Sequence, residues 1–573
     1  MENDTDVSWD RKVDLLVAGA GPGGMTTALV GALEELDVLV CEKSQQVGGT
    51  GATSAGTLWI PENSQSKAEG YKDSASEAAR YLEGLIGEDG DEERRQVYLD
   101  DGPKVIDYLA ERTEVKFSPC GRHPDYRNNI AGAGLDGRAI VAEQFDGRKL
   151  GQDFDRVRPP IEEFMLFGGM MVSKEDVACL VNRYKSIMNF THSASIYIRY
   201  LIDLLTHKRG TRLTMGNALT ARLFYSLRQQ NVPVLFGSPI IELVVKENRV
   251  QGAIIENEQG RQSILARKGV VFATGGFANN PDFRESFMPK PLPPYSMASS
   301  YNTGDGLNIG KSAGAGIVVP SHKRSAFWSP VSVTKRRDGS NGLFPHILLD
   351  RAKPGLIAVN SQGQRFTNEA CSYHDFVEAM YRSHEVINTM PAWLICDSTF
   401  VFKYGIGTIH PGTTNLRKVA EAGYATISDT ISDLATSLGI KKNKLENTVR
   451  RNNEFATTGI DSDFGKGDLE LNRFNGDADN KPNPCLGNIE KPPFVAVAVW
   501  PAEIGCSIGL KTNINGQVLN RDDKEIIGMY ACGNDMSSIM AGCYPGPGIT
   551  LGPAIVFGYR VAKHAAGRAS TQS

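Results

Sequence analysis

Short apolar runs of strand length alternate with longer amphipathic runs near the start of the chain. Residues 12–18 read KVDLLVA, residues 25–35 place apolar side chains at helical spacing, and residues 37–43 read DVLVCEK. A short apolar run is typical of a buried strand, and its alternation with a helix is typical of a βαβ unit. The pattern therefore predicts a parallel sheet at the amino-terminal end.

The same pattern returns later and closes the same unit. It predicts a helix over Asn217–Gln229, a hairpin that turns at Glu247–Asn248, a strand over Met529–Cys532 and a helix over Leu551–Ala566. We expect strands near residues 15, 40, 235, 271 and 530 to share one sheet. The predicted fold class is α/β, with a discontinuous Rossmann-type nucleotide domain and an inserted α+β domain.

The chain length supports more than one structural unit, since 573 residues exceed what a single hydrophobic core usually holds. We place the first part of the nucleotide domain at residues 1–282, with a helical addition near 152–210. The inserted domain, which we expect to be catalytic, spans 283–493, and residues 494–573 close the nucleotide domain.

A glycine-rich turn lies between the first predicted strand and helix. GAGPGG places Gly19, Gly21 and Gly24 in a G-x-G-x-x-G pattern, and Glu42 ends the next strand. Gly19 permits a tight turn, Gly21 lets the backbone approach a pyrophosphate, and Gly24 lets helix and strand pack closely. The helix N-terminus faces the phosphates, and a carboxylate at Glu42 accepts hydrogen bonds from ribose hydroxyls. The motif in this context predicts a dinucleotide site.

Composition narrows the class of protein. Hydrophobic residues make up 41% and the formal net charge is -4, so this is an ordinary globular composition and no nucleic-acid partner is expected. The nine cysteines show neither a CxxC pair nor Cys/His metal spacing, so we expect reduced thiols and no metal site. Residues 1–10 do not resemble a signal peptide, and no apolar stretch reaches the ~20 residues of a membrane span. These features favour a cytoplasmic protein.

The segment that begins at Glu42 carries a family resemblance. Residues 42–63 read EKSQQVGGTGATSAGTLWIPEN, a second run of small residues that a flavin requires and an NAD site does not. The run resembles the flavin segment of the succinate dehydrogenase/fumarate reductase flavoprotein superfamily, and in particular its 3-ketosteroid dehydrogenase branch. The resemblance implies FAD as the cofactor. The segment contains no histidine that could form a covalent histidyl-flavin, so we expect non-covalent binding.

The resemblance also implies FAD contacts elsewhere in the chain. It matches residues 268–280 (KGVVFATGGFANN) to a second glycine turn and residues 528–535 (GMYACGND) to a contact on the ribityl side. The helix from Leu551 begins at a glycine-rich loop, so its positive end would stabilise charge on the flavin ring. The predicted cofactor-binding residues are Gly19, Gly21, Gly24, Glu42, Lys43, Gly49, Thr50, Ser54, Ala273, Thr274, Gly275, Gly533, Asn534, Asp535, Ile549 and Leu551.

Two motifs of the predicted inserted domain bear on the same resemblance. Residues 303–306 read TGDG, which either returns to the flavin, as the resemblance implies, or forms an N-cap and turn without a ligand. Residues 356–380 are similar to the VNxxGxRFxNExxxYxxF segment of these enzymes.

Three tyrosines stand where the resemblance implies catalytic groups: Tyr126 in PDYRNN, Tyr373 in CSYHDF and Tyr544 in CYPGPG. A C–H bond beside a ketone becomes acidic when the carbonyl oxygen receives hydrogen bonds, and Tyr544 with the N–H of Gly548 would supply them. Tyr373 would then remove the α-proton, helped by Tyr126, while the β-hydride goes to flavin N5. Neutral phenols suit an apolar pocket because they cost less to bury than carboxylates.

The resemblance implies dehydrogenation of a hydrophobic cyclic ketone, most simply the 1,2-desaturation of a 3-ketosteroid. Desaturation at the 4,5-position, or of a smaller cyclohexanone-like ring, stays open because it depends on pocket shape. A quinone or a soluble acceptor would take the electrons, since no Cys-rich cluster segment or FMN-attachment signal is found.

Two alternatives of a different class are a fumarate-reductase-like enoate reductase and a flavoprotein whose catalytic role has lapsed. A dicarboxylate reductase would use Arg365 and His410. We expect Arg365 in RFTNE to pair with a structural acid instead, and HPGTTNL around His410 contains no arginine.

Residues 152–210 are an addition relative to the shortest ketosteroid dehydrogenases. Apolar residues recur there at helical spacing, and cations outnumber the nearby acid Asp203. The pattern favours a helical hairpin that covers the active site, and the alternative is a basic amphipathic helix that makes a peripheral contact with an anionic membrane. The apolar positions are Ile196, Tyr200, Leu201, Leu204 and Leu205, and the cations are Arg183, Lys185, Arg199, Lys208, Arg209 and Arg212.

Overall fold

The structure is a computed structural model and describes residues 8–321, 324–347 and 350–567. The predicted domain ends at residues 1–7 and 568–573 lie outside the described residues. Up to residue 272 the strands are β1 (Arg11–Ala18), β2 (Val38–Glu42), β3 (Thr57–Trp59), β4 (Phe117–Pro119), β5 (Ala139–Ala142), β6 (Phe145–Asp146), β7 (Arg212–Leu213), β8 (Val234–Phe236), β9 (Ile240–Lys246), β10 (Arg249–Asn257) and β11 (Gly260–Phe272). The helices of this stretch are α1 (Pro22–Leu33), α2 (Ser64–Ala68), α3 (Ala75–Ile86), α4 (Glu92–Arg112), α5 (Lys174–Val181), α6 (Ile187–Asp203) and α7 (Met215–Gln229).

The remaining elements continue in chain order. The strands are β12 (Tyr295–Ser296), β13 (Ile317–Val318), β14 (Ala326–Lys335), β15 (Asn341–Pro345), β16 (Leu356–Val359), β17 (Ala392–Asp397), β18 (Thr426–Ser428), β19 (Phe494–Cys506), β20 (Gly509–Leu510), β21 (Gln517–Leu519) and β22 (Glu525–Ala531). The helices are α8 (Pro281–Phe287), α9 (Asp305–Ser312), α10 (Tyr373–His384), α11 (Ser398–Tyr404), α12 (Leu416–Glu421), α13 (Ile431–Ser437), α14 (Lys442–Thr458), α15 (Glu470–Asn475) and α16 (Leu551–Ala565).

The first large sheet has the strand order β21-β22-β10-β11-β1-β2-β8, and β9 pairs with β10. Leu16 in β1 pairs in parallel with Leu39 in β2 and with Val270 in β11, and all three side chains are fully buried. Helices α1 and α16 approach so closely that a Cβ at Gly558 would lie 2.7 Å from the carbonyl oxygen of Gly23. The predicted sharing of one sheet by strands near residues 15, 40, 235, 271 and 530 is confirmed, and so is the α/β fold class.

The second large sheet has the order β15-β14-β19-β17-β16, with β12 and β18 also paired to β19. The predicted division at residue 494 assigns β19 to the nucleotide domain, whereas its hydrogen bonds run to β14 and β17. The apolar pattern of β19 marks a buried strand but does not specify its partners, which lie far away in the chain. The other predicted domain boundaries stay a prediction.

The addition at 152–210 differs from the amphipathic helix that its sequence predicts. In α6, Ile196 and Tyr200 are buried against Met170 and Val172, whereas Leu201 on the same helix is exposed. The helix ends at the buried Asp203, so the following residues Leu204 and Leu205 are not helical and also face outward. The apolar side chains therefore divide between a small core and the surface.

Half of the predicted basic face of this addition is engaged inside the protein. Arg212 pairs with Asp176 at 2.8 Å, and Arg199 pairs with Asp146 at 3.0 Å. Arg209 donates to the carbonyl oxygen of Val157, and burial lowers its pKa to about 10. The cations that remain exposed are Arg183, Lys185 and Lys208.

Among the helices of the described residues, none combines the length and the apolar character needed to cross a bilayer.

Candidate active site

A cavity of about 960 Å³ lies where the carboxyl ends of β1, β2 and β11 face β15 and β19. This volume is within the usual range of about 300–1,000 Å³ for a ligand site. One part of its wall consists of glycine turns, another of tyrosines, and a third of an apolar stretch. The predicted site residues that line it are Gly19, Gly21, Glu42, Lys43, Gly49, Thr50, Ser54, Tyr126, Ala273, Thr274, Gly275, Tyr373, Gly533, Asn534, Tyr544, Gly548 and Leu551.

The first glycine turn has two kinds of glycine. A Cβ at Gly19 would lie 2.3 Å from the carbonyl oxygen of Ala273, and a Cβ at Gly24 would lie 2.0 Å from that of Gly19. A Cβ at Gly21 would meet no atom within 4 Å, because this residue faces the open cavity. Gly19 and Gly24 therefore permit close packing of the turn, whereas Gly21 leaves space for a ligand beside the backbone.

Glu42 is fixed at the carboxyl end of β2. One carboxylate oxygen accepts from the backbone N–H of Ala20 and the other from that of Ser44, each at 2.8 Å. Each oxygen keeps a second lone pair, so the carboxylate can still accept hydrogen bonds from a ligand in the cavity.

Lys43 connects the nucleotide turns to the TGDG segment. Its ammonium group donates to the Thr303 hydroxyl at 2.5 Å and pairs with Asp305 at 2.9 Å. The Thr50 hydroxyl accepts from the side-chain amide of Asn302 at 3.1 Å. Asn302 and Asp305 both line the cavity, so this segment returns to the nucleotide side rather than forming an isolated turn.

Three predicted cofactor residues do not line the cavity. Gly24 packs behind Gly19, Ile549 is buried, and Asp535 is fully enclosed. Asp535 accepts from the Thr274 hydroxyl at 3.0 Å and from the backbone N–H of Gly276 at 3.2 Å, and burial raises its pKa to about 6. It therefore holds the second glycine turn in place and does not itself face the cavity.

The residues of this half of the cavity fit FAD. Open space beside Gly21 and Gly49 accommodates a pyrophosphate against the backbone, and the first turn of α1 presents its positive end there. Glu42 supplies the acceptor for ribose hydroxyls at the expected position after β2. FAD, once bound, supplies an acceptor for a hydride. Its non-covalent attachment stays a prediction.

The three predicted tyrosines meet at one end of the cavity, although they are far apart in the chain. The Tyr126 hydroxyl donates to the Tyr373 oxygen at 3.2 Å. The ring centroid of Tyr544 lies 5.6 Å from that of Tyr126 in a stacked arrangement and 5.2 Å from that of Tyr373 in an edge-on arrangement. No tyrosine of the three exposes more than 7% of its surface, and burial raises the pKa of each well above 10.

Tyr126 is held by a buried ionic network. Its neighbour Asp125 accepts from the Trp59 indole N–H and from Arg138, each at 2.7 Å, and burial raises the pKa of Asp125 to about 6. The backbone N–H of Tyr126 donates at 2.8 Å to the carbonyl oxygen of Pro545, which follows Tyr544. Two of the three tyrosines are therefore joined through their backbones.

The other two tyrosines owe their positions to a helix start and a glycine loop. Tyr373 is the first residue of α10, whose N-cap Ser372 accepts from the backbone N–H of Asp375 at 3.0 Å. Gly548 has φ of 94°, and a Cβ there would lie 2.2 Å from the carbonyl oxygen of Thr57. Only glycine fits at position 548 without moving β3, which keeps the backbone near Tyr544 close to the cavity.

Sequence reasoning missed several residues of the site. His374 and Phe327 each place a ring centroid 5.5 Å from that of Tyr544. Arg158 lines the cavity and donates to the Ser299 hydroxyl, and burial lowers its pKa. The position of His374 next to Tyr373 was a usable signal, whereas nothing in the local sequence singles out Phe327 or Arg158.

The apolar wall of the cavity comes from the start of the 152–210 addition. The stretch covers the cavity with an irregular loop and one 3-10 turn, rather than with the predicted helical hairpin. Its lining residues are Pro159, Pro160, Ile161, Phe164, Met165 and Met171.

The residues that a dicarboxylate reductase would need are placed elsewhere. Arg365 pairs with Glu369 and Asp461 at 2.8 Å in a buried network, and His410 is exposed on the surface. Neither residue lines the cavity. The expected pairing of Arg365 with a structural acid is confirmed.

A family model and two relatives place this chain among FAD-dependent dehydrogenases. Residues 14–551 match the model of the FAD binding domain family. The chain is 33% identical to a 3-oxosteroid 1-dehydrogenase of Mycolicibacterium smegmatis, across 96% of this chain and 97% of the relative. It is also 33% identical to a 4-oxocyclohex-2-ene-1-carboxylate 5-dehydrogenase of Sinomonas cyclohexanicum, across 98% of this chain and 94% of the relative.

A solved structure agrees with these relatives. The crystal structure of 3-ketosteroid delta1-dehydrogenase from Sterolibacterium denitrificans, in complex with 1,4-androstadiene-3,17-dione, matches with a TM-score of 0.90 and 34% identity. The match covers 97% of this chain and 100% of that chain. The predicted cofactor and enzyme class are thereby confirmed. The chain belongs to the FAD binding domain family, in its 3-ketosteroid dehydrogenase branch, and is an FAD-dependent oxidoreductase.

Proposed function

We propose that the protein introduces a C=C bond between the α and β carbons of a cyclic ketone, most simply the 1,2-bond of a 3-ketosteroid. The observation that carries the proposal is the cluster of three buried tyrosines in the cavity that also contains the FAD-type turns. Phenols at one end and a hydride acceptor at the other are the two components that this dehydrogenation needs.

In this proposal the tyrosines divide the proton chemistry. The Tyr544 hydroxyl and the N–H of Gly548 bind the ketone oxygen and stabilise the negative charge that gathers there. The Tyr373 oxygen takes the α-proton, and the two electrons of that C–H bond form the new double bond as a hydride leaves the β-carbon. The hydroxyl of Tyr126 hydrogen-bonds to Tyr373 and stabilises the ionised form of that base.

The apolar loop at 159–171 supports a large hydrophobic substrate. Prolines, methionines and a phenylalanine there replace water along one side of the cavity. An extended fused-ring ketone would bury its carbon skeleton against them, at about 25 cal/mol for each Å² removed from water. A second candidate substrate is a cyclohexanone-type ring that carries a carboxylate, which is favoured by the 33% identity to the Sinomonas cyclohexanicum enzyme and by the cation Arg158 in the wall.

The test uses purified holoprotein under anaerobic conditions, mixed in turn with 4-androstene-3,17-dione, 4-oxocyclohexanecarboxylate and succinate. We expect the steroid to bleach the flavin absorbance and to yield a product two hydrogens lighter by mass spectrometry. Bleaching by the carboxylate ring alone would establish the smaller substrate. Bleaching by succinate alone, or by none of the three, would contradict the proposal.

We further infer that the exposed apolar surface of 177–205 rests on an anionic membrane, where a quinone accepts the electrons. In the sequence from 177 to 208 the single acid is Asp203, which is buried, while Arg183, Lys185 and Lys208 are exposed. Apolar side chains beside unopposed cations suit the interface of an anionic bilayer. The exposed apolar residues are Val177, Val181, Tyr184, Ile187, Met188, Phe190, Tyr197, Ile198, Leu201, Ile202, Leu204 and Leu205.

Co-sedimentation with phosphatidylglycerol vesicles tests the membrane contact. The double variant Ile187→Ser/Leu205→Ser removes side chains that are 85% and 81% exposed. We expect partitioning to weaken at least about tenfold, since each buried side chain of this type contributes about 1.5–3 kcal/mol. The matched control is Val386→Ser, in the loop that follows α10, where the side chain is 86% exposed. This variant should partition as the wild type does. Equal partitioning of both variants would refute the contact.

The quinone acceptor is tested separately, by steroid turnover with menadione in place of oxygen. We expect menadione to sustain turnover, and to do so faster when it is dissolved in vesicles that bind the protein. Failure of menadione to reoxidise the flavin in either form would contradict this part of the proposal.

A further inference from the structure

Arg351 lies buried directly behind the start of α10. Its guanidinium donates at 2.7 Å to the carbonyl oxygens of His346 and Glu369, and at 3.2 Å to those of Ile347 and Cys371. The residue is only 3% exposed. One side chain therefore ties the cavity wall at Ile347 to the segment that leads into the helix.

The partners of this guanidinium are neutral. Among the described residues, no Asp or Glu oxygen lies within 4.0 Å of a guanidinium nitrogen of Arg351. The adjacent Asp350 binds His346 at 2.6 Å, and Glu369 uses its carboxylate for Arg365. A buried cation that binds carbonyl oxygens keeps more of its field than a cation in a direct ion pair, although the charges of Asp350 and Glu369 reduce that field.

That charge lies close to the tyrosines. Cys371, whose carbonyl oxygen binds Arg351, is two residues before Tyr373, the first residue of α10. The guanidinium carbon lies 4.8 Å from the ring centroid of Phe376, in the first turn of the same helix. The N-terminal end of α10 carries a positive dipole of the same sign. Arg351 and the helix therefore present positive potential to the place where Tyr373 enters the cavity.

We propose that Arg351 is a positioning residue of this site: it fixes the start of α10 and stabilises negative charge on the Tyr373–Tyr126 pair while the α-proton is removed. The inference rests on the proposed function for the origin of that charge. In the proton step, Tyr373 as phenolate accepts the substrate proton and becomes neutral, so the charge that Arg351 stabilises is that of the ionised pair before transfer.

The pKa values of the pair agree with this geometry. Burial raises the pKa of Tyr126 and of Tyr373, and the charge of Arg351 lowers both. For Tyr81, another buried tyrosine, burial also raises the pKa, the negative charge of Asp125 adds to that increase, and Arg138 acts in the opposite direction. Arg351 therefore favours the ionised form of the pair, and the proposal predicts that the pair ionises at lower pH than Tyr81.

Two other arginines near the cluster have ionic partners. Arg127 pairs with Asp375 at 2.7 Å on α10, and Arg138 pairs with Asp125 at 2.7 Å. Arg138 also pairs with Asp73 at 2.9 Å, so carboxylates offset the charge of both arginines, whereas the side-chain partners of Arg351 are carbonyl oxygens.

Two histidine side chains also lie next to the tyrosine cluster. His374 is 3.4 Å from the carboxylate of Glu378 and its ring centroid lies 5.5 Å from that of Tyr544. The ring centroid of His123 lies 6.2 Å from that of Tyr126.

The first test compares Arg351→Gln and Arg351→Lys as holoenzymes. Gln keeps N–H donors and loses the charge, whereas Lys keeps the charge and loses the planar fork. We expect Gln to move the rising limb of kcat against pH upward by about one unit or more, with KM changed less than threefold, and Lys to restore the limb to its wild-type pH. FAD content and Tm are measured alongside. A Gln variant that loses kcat without any shift of the limb would overturn the electrostatic role.

The second test needs neither substrate nor a charge variant. Wild-type holoenzyme with carbon-13-labelled tyrosine is titrated by NMR, and Tyr373→Phe and Tyr81→Phe assign the two resonances. We expect the Tyr373–Tyr126 pair to ionise at lower pH than Tyr81. The reverse order would overturn the inference even if Arg351→Gln does not fold. If no ketone bleaches the flavin but the Tyr373–Tyr126 pair still ionises at lower pH than Tyr81, the proposed function is wrong, while the electrostatic effect of Arg351 on the pair is supported.

Discussion

The glycine turns and Glu42, together called the nucleotide cradle, occupy one end of the cavity, and the tyrosine cluster of Tyr126, Tyr373 and Tyr544 occupies the other. The two regions are built differently. The cradle is mostly backbone: Gly21 and Glu42 belong to a single strand–turn–helix–strand unit and lie close in sequence. The cluster consists of side chains from residues 126, 373 and 544, which come together only through long-range packing. Local geometry therefore suffices to recognise a cofactor, whereas the chemistry performed on the substrate depends on contacts that span most of the chain.

The largest expected effect separates the two regions by function. Tyr373→Phe and Tyr544→Phe remove one hydroxyl each from the cluster and leave the cradle untouched. We expect kcat for 4-androstene-3,17-dione to fall about 10²–10⁴-fold, as is typical for loss of a general base or an oxyanion donor. Anaerobic stopped-flow reduction of the flavin measures this loss.

The control for these variants is the content of FAD. It should stay at the wild-type level, because neither hydroxyl belongs to the cradle. The control variant Tyr404→Phe should have full activity, because this tyrosine does not line the cavity and its hydroxyl donates a hydrogen bond to Asp477. A loss of FAD in Tyr373→Phe would show that the two ends of the cavity are not separable.

The pH dependence should come from the cluster alone. Burial raises the pKa of Tyr373 well above 10, so between pH 7 and pH 9 the phenolate is a minor species whose fraction grows about tenfold per pH unit. We therefore expect kcat to rise with pH in this range, while the Kd of FAD stays constant. A flat profile of kcat would indicate that Tyr373 is not the base.

A matched pair of glycine variants tests the cradle. Gly21→Ala adds a methyl group to open space in the cavity, and we expect the Kd of FAD for the apoprotein to rise about tenfold, or about 1.4 kcal/mol, with little change in Tm. Gly24→Ala adds it 2.0 Å from the carbonyl oxygen of Gly19, so we expect a fall in Tm of the apoprotein itself. Flavin fluorescence titration and calorimetry measure the two quantities, and equal effects in both variants would contradict the assignment of separate roles.

The smallest effect is expected from Asp125→Asn, behind Tyr126. Asn keeps an acceptor for Trp59 but leaves Arg138 with Asp73 as its remaining acidic partner. We expect kcat to fall a few-fold as Tyr126 shifts, and Tm to fall by several degrees, with the Kd of FAD unchanged. An unchanged kcat together with a lowered Tm would limit Asp125 to a structural role.

The fold was largely predictable because its signals are local. Apolar runs and a glycine turn specify strands, a helix and their parallel arrangement within a few dozen residues. The helix from Leu551 and the hairpin turn at Glu247–Asn248 also follow from local patterns, and both are present where they were predicted. The assignment of β19 was wrong because the choice of a neighbouring strand is a long-range property that its own residues do not encode.

Sequence motifs predicted which residues belong to the site but not how those residues are arranged in space. Tyr126, Tyr373 and Tyr544 were identified through their motifs, yet their separation of 5.2–5.6 Å follows from the packing of β3, α10 and the loop after Cys543. Asp535 was predicted to contact FAD but is enclosed behind the second glycine turn, because its carboxylate satisfies the backbone there.

By itself, the sequence determined that this protein has a dinucleotide turn, a flavin-type second segment and tyrosines at three motif positions for which we propose proton transfer. Only the tertiary structure decided which cations are free and which are paired. Arg365, Arg209 and Arg212 are all engaged internally, while Arg351 meets carbonyl oxygens behind Tyr373. The physical reason is that electrostatic interactions depend on distance and burial, and both quantities are set by contacts between residues that are remote in the chain.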